Sequence, residues 1–196
     1  MKPMPAIGPN AVTQLVPALM RQGLDGMVPQ VFAGAGVAGW LAEPPSAMVD
    51  ERLVASLHRA LRAGLPPEQS SLVLAEAGRL TADYLLAARI PGLAQAILKR
   101  LPASLSASLL VGAIKAHAWT FAGSGRFSAR SGKPLILEIR NNPLCAGEHA
   151  AAPLCSWHAA VFSRLFEVLV SGDVRVDEID CEARGDDACR FSIDWS

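Results

Sequence analysis

The apolar pattern of this chain changes period near Trp119, and that change fixes which kinds of structure can follow one another. Before it, apolar residues recur at three- and four-residue steps: Leu53, Val54, Leu57 and Leu61 form one stripe, and Leu72, Leu80, Tyr84 and Leu85 lie along another. After it, Leu135 to Ile139 alternates residue by residue, and Val174 to Ala183 with Ala188 to Ile193 reads as a closing antiparallel hairpin. Helices first and strands later predict an α+β fold rather than a doubly wound nucleotide-binding sheet.

Punctuation residues set the expected boundaries. Asn10 suits a cap for a helix through Met20, and Ser46 suits a cap for one that stops at Gly64. Pro66-Pro67-Glu68 opens a longer helix to Arg89, ended by Pro91, and Pro102 separates two shorter helices at 92–101 and 103–117. Trp119 to Phe121 and Arg126 to Ser128 bracket a Gly-Ser-Gly turn at 123–125. Pro153 and Cys155 introduce an amphipathic helix carrying Trp157, Val161, Phe162, Leu165, Phe166 and Leu169.

Charge and length narrow the functional classes. At 196 residues the chain can bury a full core as one domain, with or without a helical extension. Eighteen basic residues balance eighteen acidic ones with no evident basic stripe, which argues against a nucleic-acid partner. A hydrophobic content of 51% against 18% charged residues leaves apolar surface for an internal pocket, a partner or a membrane face to cover. A transmembrane segment is not expected, because the best uncharged run, 27–42, is interrupted by Pro29 and falls short of the roughly 20 residues a bilayer needs. MKPMPAIGPNAV lacks the continuous apolar core of a signal peptide, so a reducing, cytoplasmic setting is expected.

Cys155, Glu178, Cys181 and Cys189 fall in a helix-and-hairpin segment that can gather them around one metal ion. Three thiolates and a carboxylate suit zinc, and a closed four-ligand site is structural, since catalytic zinc keeps a position for water or substrate. Spacing leaves other readings open: reduced cysteines with no ligand, or a Cys181–Cys189 disulfide across the hairpin. Two rival ligands compete, His158 one helical turn after Cys155 and Cys145 in the loop before it.

The stretches RLTADYLLAARIP (79–91), AIKAHAWTFAGSGRF (113–127), PLCSWHAAVFSRLF (153–166) and EIDCEARGDDACRFSI (178–193) together resemble the 4-vinyl reductase domain family, in its bacteriochlorophyll-biosynthesis branch. The resemblance spans residues 50–196 and is most specific in the last stretch. It implies a small antiparallel sheet packed with helices around an apolar ligand cavity. It also implies structural zinc bound through a Cys, then Glu-x-x-Cys, then a further Cys, which here fall on Cys155, Glu178, Cys181 and Cys189. The implied layout is a helical N-terminal extension, 1–45, followed by a 4-vinyl reductase-type ligand-binding domain, 46–196, with a zinc-stapled C-terminal hairpin.

The family name implies reduction of the 8-vinyl group of a chlorophyll precursor, a reaction that needs a hydride or electron source. The one nucleotide-like pattern, Gly34-Ala-Gly36-Val-Ala-Gly39, lacks a preceding strand and is closed off by Pro44-Pro45. No Ser-His-Asp order, paired-carboxylate site or phosphate loop stands out, so no catalytic residue is assigned. The composition fits a carrier better: a protein that binds a porphyrin or chlorophyllide intermediate as ligand and presents it to a bacteriochlorophyll biosynthetic enzyme. The 8-vinyl reductase itself and a ligand-sensing scaffold for such an enzyme are the alternatives. Candidate lining residues are Tyr84, Leu85, His117, Trp119 and Phe121, with Arg126, Arg79 or Arg89 to meet the pigment's carboxylates. A neutral His117 imidazole suits the metal at a porphyrin centre, although hydrogen bonding within the fold is the plainer role for a lone histidine. A homodimer and attachment at the periphery of the photosynthetic membrane are compatible with the apolar surplus.

Overall fold

The computed structural model describes residues 5–195; residues 1–4 and 196, the outer ends of the two expected segments, lie outside the described residues. The elements run β1 (Ala6–Ile7), α1 (Asn10–Thr13), α2 (Leu15–Arg21), α3 (Val28–Gly34), β2 (Val49–Asp50), α4 (Glu51–Gly64), α5 (Pro67–Ala88), α6 (Gly92–Leu98), α7 (Ala103–Ala116), β3 (Arg126–Arg130), β4 (Leu135–Arg140), α8 (Ser156–Leu169), β5 (Arg175–Asp180) and β6 (Cys189–Asp194). The fold is α+β, in the order that the change of period predicts. None of the described helices is long and apolar enough to cross a membrane.

The sheet has the order β3-β4-β6-β5 and every pairing is antiparallel. Alternation in β4 turns Leu135, Leu137 and Ile139 inward, and in β6 Cys189, Phe191 and Ile193, with Leu137 opposite Phe191 and Ile139 opposite Cys189. Helix α8 packs between this sheet and α5. Its contact with α5 is close because Gly78 has no side chain there: a Cβ at Gly78 would overlap the Trp157 carbonyl oxygen. The residues before 45 belong to the same buried cluster as the sheet, through Ile7, Leu15, Leu19 and Phe32, and β1 pairs with β2.

Three boundaries differ from the sequence expectations, each for a local reason. The helix expected from Asn10 to Met20 breaks after Thr13, because Pro17 has no N–H for the Thr13 carbonyl and its ring crowds it. Asp50, not Ser46, caps α4: its Oδ1 accepts the Arg52 N–H at 2.9 Å, and pairing of Asp50 with Ala6 holds the residue extended where the helix must start. The Gly-Ser-Gly segment does not join two strands. Ala118–Thr120 is a 3-10 turn, and Glu51 at the start of α4 accepts from the Ser124 N–H at 2.7 Å and the Ser124 hydroxyl at 2.6 Å, so β3 pairs onward with β4 instead. The glycines 34–39 close a helix, with Gly36 at φ +72°, and no strand runs into them.

Candidate metal centre

Four buried thiols meet where the sheet ends against α8. Cys189 opens β6, Cys181 follows β5, Cys155 immediately precedes α8, and Cys145 closes a 3-10 turn at Pro143–Cys145. Their sulfurs all lie within 4.8 Å of one another, with Cys189 Sγ 3.6 Å from Cys145 Sγ and 3.5 Å from Cys155 Sγ. None is in a disulfide. The Cys181–Cys189 bridge left open by spacing is therefore not formed.

The surrounding polar groups point donors at sulfur. Asn142 is fully buried, and its Nδ2 donates to Cys155 Sγ at 3.2 Å and to Cys189 Sγ at 3.5 Å, while its Oδ1 accepts the Leu144 N–H. The Leu154 N–H donates to Cys181 Sγ at 3.4 Å. The Glu182 carboxylate fixes Asn142 in turn by accepting the backbone N–H groups of Asn141 and Asn142 at 2.6 and 2.7 Å. Donors aimed at sulfur favour thiolate, the form that ligates a metal. Hydrogen bonds from the Cys145, Cys155 and Cys189 thiols hold the Cys181 thiol well below its ordinary range, and the same contacts push Cys155 up. Four thiols in contact cannot all ionise without a cation among them.

A metal ion fits this donor set. Tetrahedral ligation at about 2.3 Å per Zn–S bond places sulfurs about 3.8 Å apart, close to the spacing found here. Four soft ligands with no carboxylate among them favour zinc over calcium or magnesium.

Of the four ligands expected, Cys155, Cys181 and Cys189 are in this cluster, and the fourth sulfur there belongs to Cys145. Glu178 sits beside it: one oxygen accepts the Cys155 N–H at 2.8 Å and the other is buried with no hydrogen-bond partner. Burial, and then the charge of neighbouring Cys181, push its carboxyl up to about 9. The rival His158 lies inside an aromatic group of Phe121, Trp157, Phe162 and Phe191, with ring centroids 5.0–6.3 Å from its own. Its pKa falls to about 4 through burial.

The candidate pigment-binding residues are spread from the end of α5 to β3. Tyr84 and Leu85 are half-buried, and Arg89 stacks over the Tyr84 ring at 5.8 Å. His117 and Trp119 are exposed just past α7, Phe121 joins the aromatic group, and Arg126 is exposed at the start of β3. Two clefts, of about 250 and 420 Å³, run instead along α5 and α8, sharing Ala75, Ala160 and Ser163; the larger reaches Glu178.

The 4-vinyl reductase domain family matches residues 135–194, the stretch that contains all four cysteines. The bacteriochlorophyll synthase 23 kDa chain of Cereibacter sphaeroides is 50% identical over 187 residues, covering 95% of this chain and 89% of that protein. The protein of the same name from Rhodobacter capsulatus is 44% identical over 189 residues, covering 96% and 87%. This chain belongs to the bacteriochlorophyll synthase 23 kDa chain family. The first alignment leaves too few residues uncovered to stop at residue 45, so it reaches into the N-terminal helices as well.

The fold of this family member is similar to H-NOX structures. The Fe(II) unliganded H-NOX protein from K. algicida superposes with a TM-score of 0.62 at 12% identity, covering 96% of both chains. A structure from work on heme distortion in the H-NOX family gives 0.55 at 12% identity, covering 97% and 95%.

Sequence reasoning kept Cys145 only as a rival and missed Asn142. The signal was present in Asn142-Pro143-x-Cys145, since Asn before Pro is a turn opener that carries the following cysteine back toward the chain.

Proposed function

We propose that this chain binds a tetrapyrrole intermediate of bacteriochlorophyll synthesis, a metallated porphyrin or chlorophyllide, and presents it to a biosynthetic enzyme, with one structural zinc ion fastening its C-terminal lobe. The reading is carried by two likenesses that each span nearly the whole chain, one to proteins named for bacteriochlorophyll synthase and one to a fold studied with heme.

His117 offers the chemistry that a metallated macrocycle needs. Its Nδ1 is 2.9 Å from the Ala113 carbonyl oxygen, and a carbonyl only accepts, so Nδ1 carries the proton and Nε2 keeps its lone pair. The ring is exposed, so that lone pair is available to an axial site. Trp119 supplies an open aromatic face nearby, Tyr84, Leu85 and Phe121 supply apolar wall, and Arg126 suits a carboxylate tail.

Zinc belongs to Cys155, Cys181 and Cys189. The fourth position goes to Cys145, already among the sulfurs, rather than to Glu178, whose one oxygen is committed to the Cys155 N–H. Such a site holds elements together and supplies no reactive position.

The test is an absorbance titration of purified protein with Mg-protoporphyrin and divinyl chlorophyllide, with and without NADPH. Saturable binding with the vinyl group retained supports the carrier. Loss of the vinyl group with NADPH replaces it with the reductase. His117→Ala should weaken binding of the metallated pigment more than of its metal-free form; equal weakening would remove the axial role.

A further inference from the structure

The balanced charge of the chain hides a strong local asymmetry. Residues 84–137 carry seven cations, Arg89, Lys99, Arg100, Lys115, Arg126, Arg130 and Lys133, and no aspartate or glutamate, which leaves the rest of the chain net acidic by the same seven charges. All seven are exposed, and none takes part in the ion pairs found among the described residues, which lie entirely outside this segment.

Apolar side chains crowd the same segment and face outward. Leu93 and Ile97 on α6, Leu105 and Leu109 on α7, and Trp119 just after it are 50–76% exposed. On α7 the outward stripe is Leu105, Leu109, Gly112 and Ala116, one helical face, with Ala107, Leu110 and Ile114 turned to the core. Helix α6 buries no residue at all. Pro91 and Pro102 bound it, and side-chain bonds tie the hairpin down: Gln95 Nε2 donates to the Leu86 and Ile90 carbonyls, and the Ser106 hydroxyl bonds the Leu98 and Leu169 carbonyls. An apolar face held open this way is unusual in a protein whose core is otherwise closed.

We propose that the outward face of the α6–α7 hairpin docks on an anionic membrane surface. Apolar side chains enter the headgroup boundary while Arg89, Lys99, Arg100 and Lys115 meet lipid phosphates, the combination that holds interfacial helices. A ring exposed like that of Trp119 suits the same boundary. The complete lack of carboxylates selects a lipid surface over a second copy of the chain, which would bring seven unpaired cations against seven more. This proposal goes beyond pigment binding and does not depend on it.

The experiment is co-sedimentation of the full chain with phosphatidylcholine vesicles, with and without phosphatidylglycerol. Binding should require phosphatidylglycerol and weaken with added salt. The doubly substituted Leu105→Ser/Leu109→Ser and Lys99→Glu/Arg100→Glu proteins should each bind about tenfold more weakly or worse, with unchanged melting temperatures. Arg175→Glu, the same kind of charge reversal on the sheet, should bind as the parent does. Absence of binding to phosphatidylglycerol vesicles, or binding indifferent to both double substitutions, overturns the proposal. So does a dimer that Leu105→Ser/Leu109→Ser dissolves, or pigment affinity that falls in that variant while vesicle binding does not.

Discussion

The two ends of the molecule treat polar and apolar groups in opposite ways. On the outer face of the sheet cations meet carboxylates: Arg190 bonds Glu138 at 2.7 Å, Asp180 at 3.0 Å and Asp187 at 2.8 Å, and Arg140 bonds Glu138 and Asp187. Beneath that face the four thiols receive donors from Asn142 and Leu154. Around α6 and α7 the cations have no carboxylate and the leucines face outward. A region whose groups are matched internally is finished by folding, whereas one left unmatched is finished by something outside the chain. The contrast assigns stability to the sheet lobe and docking to the hairpin, so substitutions in the two places should differ in kind as well as in size.

The largest effect is expected at the sulfur cluster. Cys181→Ser removes the thiol that its neighbours hold most strongly toward thiolate, and should cost about 3–5 kcal/mol in urea unfolding with loss of bound metal. Metal analysis separates the ligand sets: Cys145→Ser should lose the ion and Glu178→Gln should keep it. Retention in Cys145→Ser with loss in Glu178→Gln would return the fourth position to the carboxylate. Chelator treatment of the parent protein should reproduce most of the Cys181→Ser loss.

Next comes the packing of α5 on α8. Gly78→Ala places a Cβ where the Trp157 carbonyl oxygen already sits, so the helices must part, at a cost of about 3 kcal/mol or more beyond the small gain in helix propensity. Metal content should not change. If Gly78→Ala also releases the ion, the sheet lobe is not self-contained and the contrast weakens.

Acid tests the interior by another route. Burial first, then Arg62, lowers His58 to about 3, and burial lowers His158 to about 4. Both are depressed below the unfolded value near 6.5, so below that pH the unfolded chain takes up protons that the folded chain refuses, and stability falls from there down to the folded values. Each contributes up to about 1.4 kcal/mol per pH unit in that window, or about 2–3 kcal/mol for both between pH 7 and 5.5. His58 Nε2 is 2.9 Å from the Ala11 carbonyl, a bond that glutamine can reproduce. The urea midpoint of His58→Gln should therefore fall less steeply with acid than that of the parent; an equal slope would mean that His58 titrates normally in the fold.

How much of this was legible in the sequence follows from which interactions are local. The long helix from Pro67, the alternation of Leu135 to Ile139 and the stripe on α8 were readable because period and punctuation lie within the segment that folds. The breaks were not, where a distant partner decides: Glu51 claims Ser124 across 73 residues and so forbids the expected hairpin at 123–125. Cys155, Cys181 and Cys189 share a hairpin and its adjoining helix, so spacing found them together. Cys145 arrives only because Asn142 bends the chain and bonds two of the sulfurs. The seven-cation segment escaped whole-chain counting since equal numbers elsewhere cancel it.

The smallest stability effect is the one that most sharpens the comparison. Leu109 is 56% exposed in the middle of the outward stripe of α7, and Leu93 is 76% exposed on a helix that buries nothing. Removing a side chain that water already reaches costs little transfer free energy and leaves no cavity, so Leu109→Ser and Leu93→Ser should each change unfolding free energy by within about 0.5 kcal/mol, helix propensity included. Both should raise solubility, because the exposed patch shrinks. Urea unfolding of the isolated chain decides the matter. A loss above about 2 kcal/mol from Leu109→Ser would be the cost of truncating a buried leucine, and would mean that α6 and α7 close over this face in solution. The hairpin would then belong with the finished part of the molecule.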